Sequence, residues 1–288
     1  MIRIAYIILN YKTFRDTEVV TNELLAFISE EDTIIIVDNC SPNDSSTELH
    51  KLFDNQARVS VIDAPENGGY AKGNNYGLRY IKKLSPKFVC IMNNDVHFTK
   101  NTIEKLCLIY DMLEKPAIIS PIQVLPDGKR AKFIEFKVPN LIYDLRMNTL
   151  FFKPRFHVYE SNTQWPNVQK VGYLPGAMLF TDYSVFERIG FFDESTFLFC
   201  EERFTGKAVQ EAGLNNYVIL DLEYLHEHSK TIKNEASSKK QRQMINEGRL
   251  KYYERYFRFP SLAKFLLNLS FQFHELELFL LSSVRFRK

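Results

Sequence analysis

The sequence predicts an α/β fold, a mostly parallel central sheet flanked by helices and followed by C-terminal helices. Three observations predict it. Short β-branched apolar runs alternate with amphipathic segments through the first hundred residues. Polar residues gather where those runs end, as they do at the ligand-binding edge of an open parallel sheet. The last sixty residues then change pattern and charge.

Taken in order, Ile4–Leu9 reads as a buried strand and Asp16–Ile28 as a helix. Thr33–Val37 is a second strand, closed by the turn sequence Asp38-Asn39-Cys40-Ser41-Pro42. A helix through Glu48 and Leu52 follows, then a strand at Val59–Ile62, a helix over Asn74–Leu84 and a strand at Phe88–Met92. Strands this apolar, separated by amphipathic helices, are buried on both faces. Further strands are expected at Ile118–Val124, Lys132–Val138 and Tyr217–Asp221. Val171–Thr181 is apolar around Pro175-Gly176, and a helix over Glu201–Ala212 stops at Gly213. The stretch 139–170 has no clear period. The pattern divides the chain into a unit over 1–230, itself parted near 115, and an extension over 231–288.

Residues 230–288 carry 13 Lys/Arg against 5 Asp/Glu, a net of +8, whereas residues 1–229 carry 24 against 30, a net of −6. A polar helix over 237–257 precedes Ser261–Val284, which is strongly apolar except for a stripe of Lys264, Asn268, Gln272 and Glu275. Basic residues flank it. Such a helix suits an anionic membrane surface through 259–288, or packing on the preceding unit or a second copy as a homodimer. Lys264, Glu275 and Glu277 argue against a span.

Composition narrows the function classes. With 37 basic and 35 acidic side chains, the chain lacks the charge of a nucleic-acid binder. Its 24 Phe and 15 Tyr exclude a disordered chain. Cys40, Cys90, Cys107 and Cys200 show no C-x-x-C pairing, which fits a reducing, cytoplasmic setting and no structural metal cluster. Met1–Asn10 reads as strand rather than secretory signal, and the first 260 residues hold no 18-residue apolar run.

Four segments carry chemistry. Asp38 ends a central strand, where a carboxylate can accept from a base N–H or a ribose hydroxyl. Asn67-Gly68-Gly69-Tyr70-Ala71-Lys72-Gly73-Asn74-Asn75 allows close backbone approach, and Gly73-Asn74 is expected to open a helix whose N-terminus suits a diphosphate. It matches neither the dinucleotide fingerprint nor a P-loop. Asn93-Asn94-Asp95 ends a strand, so Asp95 can hold Mg2+ or Mn2+ at the sheet edge. Adjacent Glu201 and Glu202 supply a candidate general base, and His226 or His228 a candidate metal ligand.

In this order the segments resemble family 2 inverting glycosyltransferases, most of all their bacterial rhamnosyltransferase-like branch, over about residues 3–230. The resemblance implies a GT-A fold, a dTDP- or UDP-sugar donor and a divalent metal, Mn2+ or Mg2+. It also implies a glycan or lipid-linked acceptor, with the enzyme building capsule, O-antigen or similar polysaccharide at the inner face of the cell membrane. Asp38 would contact the donor base, and Asn10, Asn67, Gly68, Asn74, Asn93 and Asn94 would line the donor. Asp95 stands at the end of the family's D-x-D, with His226 (alternatively His228) as a second metal ligand. Glu202 stands where the family has its catalytic base, beside Glu201, and its pKa would be raised by burial and by that neighbour. Val171–Met178 would wall the acceptor side. Two departures from the family pattern fall on the following helix, at Phe204 and Ala208. A nucleotidyltransferase would need a basic glycine-rich loop after the first strand, and Asn10-Tyr11-Lys12-Thr13-Phe14 lacks it. A non-catalytic binding copy of the fold would survive loss of Glu202.

Overall fold

The computed structural model describes residues 2–131, 138–149, 165–227 and 238–285. The first four long strands form as their apolar runs require. β1 (Ile4–Asn10), β2 (Thr33–Asp38), β3 (Val59–Asp63) and β4 (Phe88–Asn93) lie parallel in the order β3-β2-β1-β4. Side chains alternate between the two faces, so Ile4, Tyr6 and Ile8 enter one core while Ala5 and Ile7 enter the other. Every residue of β2 is buried, which explains why Ile34–Val37 run continuously apolar rather than alternating. Helices α1 (Phe14–Leu25), α2 (Ser45–Phe53) and α3 (Gly69–Ile81) are the crossovers.

Beyond β4 the sheet becomes mixed. β5 (Val96–His97), α4 (Lys100–Tyr110) and β6 (Pro116–Val124) follow in the chain, then α5 (Leu141–Met147), β7 (Val168–Val171), β8 (Met178–Asp182) and α6 (Tyr183–Ile189). β8 pairs antiparallel with β4 and with β6. After α7 (Glu201–Glu211), the long β9 (Asn215–His226) runs parallel to β6 and antiparallel to β5 and β7. The carboxyl end of β4 and the end of β9 therefore meet, because Val96 stands opposite His226.

Two helices close the chain, α8 (Ser238–Tyr256) and α9 (Pro260–Arg285). Tyr252, Tyr253, Ala263 and Leu267 pack on Phe204 of α7. A buried ionic cluster sits beside this contact. Asp144 of α5 accepts from both Arg203 guanidinium nitrogens at 2.6 Å and from the Tyr253 hydroxyl at 2.7 Å. Arg249 lies 3.3 Å from the same carboxylate and donates to Asn148 Oδ1 at 2.6 Å. These cations hold the Asp144 carboxyl below the usual carboxylate range despite burial that pushes it up.

Three expectations change. The third helix begins at Gly69, not Asn74, so Asn74 is an interior helical residue. The reason is local: Asn67 Oδ1 accepts from Gly69 N at 3.1 Å, and Gly69 takes the positive φ of +81° that starts the turn. The patternless 139–170 contains α5 and β7. The sheet is mixed rather than mostly parallel: its first half is wholly parallel, and beyond β4 only the β6–β9 pair is parallel among antiparallel neighbours. The expected strand at Lys132–Val138 lies outside the described residues except for Val138, which is loop.

Candidate active site

A cleft of about 550 Å³ opens over the carboxyl ends of β1 and β4. Its floor carries Asn93, Asn94 and Asp95. Asp95 is 4% exposed, and neither carboxylate oxygen has a hydrogen-bond partner. Oδ1 lies 3.2 Å from His226 Nε2, and Asn93 Nδ2 lies 3.4 Å from the same nitrogen. Gln123 approaches His226 Nδ1 at 3.2 Å and accepts from the Tyr224 hydroxyl. An imidazole fixed at Nδ1 can present Nε2 to a metal ion.

A buried carboxylate without hydrogen-bond partners beside an imidazole fits a divalent cation with two protein ligands. Phosphate oxygens and water would fill the remaining positions. Among the described residues no group of three His, Cys, Asp or Glu side chains converges, so the protein alone supplies no complete metal cage. His228 lies outside the described residues.

The end of the cleft over β1 and β2 differs from the sequence expectation. Asn67 lines it, accepting from Asn39 Nδ2 at 3.0 Å. Asn94 also lines it, anchored on Thr13 Oγ1 at 2.7 Å and Thr17 Oγ1 at 2.9 Å. Asn10 and Asp38 are buried beneath the surface. Asn10 donates to Asp38 Oδ1 at 2.7 Å and accepts from Thr17. Asp38 also accepts from the Ser41 amide at 2.8 Å and hydroxyl at 2.7 Å. Their side chains shape the loop, and Asn39 beside them faces the cleft. Asn74 is fully buried in α3, with Nδ2 on the Tyr70 carbonyl. Gly68 precedes α3, while Gly69 lines the cleft. A Cβ on Gly69 would fall 1.8 Å from the Phe197 carbonyl oxygen, so only glycine permits this approach.

Phe197, Leu198 and Phe199 form the opposite wall and lead into α7. Phe199 and Cys200 both take positive φ, near +70°, a strained turn that aims Glu201 and Glu202. α8 holds this turn closely, since a Cβ on Gly248 would be 2.8 Å from Cys200 Cβ. Burial pushes the Cys200 thiol up to about 12, which removes it as a nucleophile. Glu201 and Glu202 line a small void with Tyr70, which also lines the cleft. Burial raises the Glu201 carboxyl, with the Glu202 charge pushing the same way, and its Oε2 has no hydrogen-bond partner. Glu202 is half-buried. Phe204 meets Tyr252 edge-to-face with centroids 5.4 Å apart, so this departure from the family pattern is hairpin packing.

Asn39 is legible in the sequence only as one of the polar residues at the strand ends and Phe197–Phe199 only as the segment leading to the carboxylate pair, while nothing gives Tyr11, Gly69 or Tyr70 a role of its own. Gly69 and Tyr70 lay inside the glycine-rich segment, where a second adjacent glycine was the available signal. Lys240, Gln241 and Met244 of α8 also line the cleft, and nothing local in the sequence marked them.

The signature of Glycosyl transferase family 2 matches residues 7–161. A low-salt glycan biosynthesis hexosyltransferase of Haloferax volcanii, Agl10, is 30% identical over 204 residues. That match covers 69% of this chain and 59% of the relative, so the chain spans under two thirds of that protein's length. Solved structures share the fold at low identity. GalNAc-T7 with UDP, GalNAc and Mn2+ superposes with a TM-score of 0.67 at 9% identity, over 91% of this chain and 49% of that one. The Pyrobaculum calidifontis mannosyltransferase PcManGT with GDP-Man and Mn2+ gives 0.58 at 12%, covering 98% and 75%. S. aureus TarS with UDP-GlcNAc gives 0.56 at 14%, covering 92% and 70%. The cleft thus sits on a GT-A glycosyltransferase fold, and the chain belongs to glycosyltransferase family 2.

Proposed function

We propose that the protein is an inverting glycosyltransferase of cell-surface polysaccharide assembly. It moves a sugar, L-rhamnose in the favoured case, from a dTDP- or UDP-sugar to a hydroxyl of a glycan or lipid-linked acceptor. With a lipid-linked acceptor it works at the inner face of the cell membrane. The observation that carries this reading is the buried Asp95 carboxylate, without a hydrogen-bond partner and 3.2 Å from His226 Nε2, at the floor of a cleft large enough for a nucleotide sugar.

The residues divide the work. Asn39 and Asn67 face the nucleoside, over a loop that Asp38 and Asn10 brace from beneath. Asp95 and His226 would hold Mn2+ or Mg2+, which offsets charge on the departing diphosphate. Burial and the Glu202 charge raise the Glu201 carboxyl, which favours Glu201 as the protonated member of the pair and Glu202 as the base. Glu202 takes the proton of the acceptor hydroxyl as that oxygen bonds to the anomeric carbon. The C–O bond to the diphosphate breaks on the opposite face, so the configuration inverts. Tyr70, whose hydroxyl donates to the Gly176 carbonyl at 2.5 Å, separates the donor cleft from the carboxylate pair.

A thermal-shift panel of UDP, dTDP and GDP, each with and without Mn2+, tests the donor side. One nucleotide at about 100 times its Kd should stabilise by roughly 2.7 kcal/mol, and only with metal. Glu202→Gln should keep that shift and lose about 10²–10⁴-fold in turnover. A folded protein that responds to none of the nucleotides is not this transferase.

A further inference from the structure

The outer face of α9 is inside out for a helix of a water-surrounded protein. At 3.6 residues per turn, Leu262, Phe265, Leu269, Phe273, Leu276 and Phe279 share an arc of about 120°. All six point outward and are at least 51% exposed. The face turned inward carries Ala263 and Leu267 but also His274 and Glu277, 3.6 Å apart and under 10% exposed. Glu275 is drawn to the flank by Arg242 at 2.7 Å. Polar groups are thus spent on the α8 contact while large apolar side chains face out. Exposed Gln272 also falls in this arc, so the patch is apolar but for that amide, and one of this extent marks an interaction surface.

Charge identifies what covers it. Residues 230–288 are net +8 in a chain whose remainder is net −6. Exposed Arg258 and Lys264 stand at the start of the stripe. Pairing the stripe with a second copy would bring two +8 segments together. An anionic surface complements them. Among the described residues no helix is long and apolar enough to cross a membrane, so the contact lies along the interface.

We propose that the outer face of α9 docks on an anionic lipid bilayer, with the apolar stripe in the acyl boundary and the basic residues at the headgroups. The inference deepens the lipid-linked-acceptor reading and rests on it for its purpose. Because α8 lines the donor cleft and packs on α9, docking holds that cleft at a fixed place relative to the lipid surface.

The test is flotation of the full chain with vesicles of equal parts phosphatidylcholine and phosphatidylglycerol, and with phosphatidylcholine alone. The wild type should float with the anionic vesicles. Leu269→Glu with Leu276→Glu, both exposed and remote from the cleft, should weaken partition about 100-fold or more. Arg258→Gln with Lys264→Gln should weaken it about 30-fold on anionic vesicles and leave the neutral ones unchanged. Absence of wild-type flotation, or a glutamate variant that floats equally well, overturns the proposal. So does a wild-type dimer in sedimentation that the glutamate variant converts to monomer, which assigns the stripe to a second copy. The nucleotide thermal shift of the same variants separates the two readings. If flotation fails and the shift persists, only the docking falls; if the shift is absent, the transferase reading falls.

Discussion

The parallel half of the sheet and the C-terminal hairpin are held by opposite chemistry. In β1, β2 and β4 the interior is dry and apolar, with Ile4, Ile7, Ile8, Ile34, Ile35 and Ile36 all at zero exposure. Where α8 meets α5 and α7 the interior is ionic, built on Asp144, Arg203 and Arg249, while the outer face of α9 is apolar. A dry core tolerates small losses because its neighbours partly relax. A buried ion pair does not, because removing one partner strands the other's charge. The lesson is functional: the cleft is walled by one region built each way, so its two walls should fail differently.

The largest effect should come from Asp144→Asn. It leaves the Arg203 and Arg249 guanidinium groups without their carboxylate and should cost about 3–5 kcal/mol. Ile35→Val in the dry half should cost about 0.5–1.5 kcal/mol. Denaturant melts of both variants check the contrast, and equal losses would break it. The pH dependence follows from the depressed Asp144 carboxyl. Its contribution is complete above the carboxyl's unfolded-state value and is lost as pH falls through the lower folded-state value. Asp144→Asn should therefore flatten the acid limb of the stability curve.

The same contrast decides what was legible in the sequence. The parallel half could be read because burial on both faces leaves a local record, runs such as Thr-Ile-Ile-Ile-Val, and its strand ends marked the cleft floor at Asn93–Asp95. The ionic cluster left none. Asp144, Arg203 and Arg249 are far apart in the chain, and each alone resembles a solvated charge. α8 was read as part of an extension, yet Lys240 and Met244 wall the cleft, a relation set by tertiary packing. Asp38 shows the converse error. Its strand-end position was read correctly, but hydrogen bonds from Asn10 and Ser41 turn the side chain inward.

A second, smaller effect sharpens the comparison at the junction of the two regions. Gly69 opens α3 from the parallel half and touches Phe197 on the wall leading to α7. Gly69→Ala meets both a φ of +81° and a Cβ placed 1.8 Å from a backbone oxygen. The expected cost is about 1–3 kcal/mol. Because the residue lines the cleft, nucleotide affinity should fall as well. Asn67→Ala, which loosens the same loop without the clash, should weaken nucleotide binding with less loss of stability. Isothermal titration beside thermal melts separates the two contributions, and a Gly69→Ala protein with unaltered binding would show that the junction does not shape the cleft.

The smallest effect concerns Glu201, a titratable group buried without an ion pair, unlike Asp144. Burial and the Glu202 charge raise its folded-state pKa. Above the ordinary carboxyl value near 4.3 the unfolded chain releases its proton while the folded chain retains it, so this group subtracts stability as pH rises. Asp144 gains stability with rising pH over the acid range, and the two limbs therefore have opposite signs. Glu201→Gln cannot ionise. Its melting temperature relative to wild type should rise from pH 4 to pH 8, by something on the order of 2 °C. A constant difference across that range would mean that Glu201 ionises alike in the folded and unfolded chains. The proton would then not be kept on the first carboxylate of the pair, and the division of labour that leaves Glu202 as the base would lose its electrostatic cause.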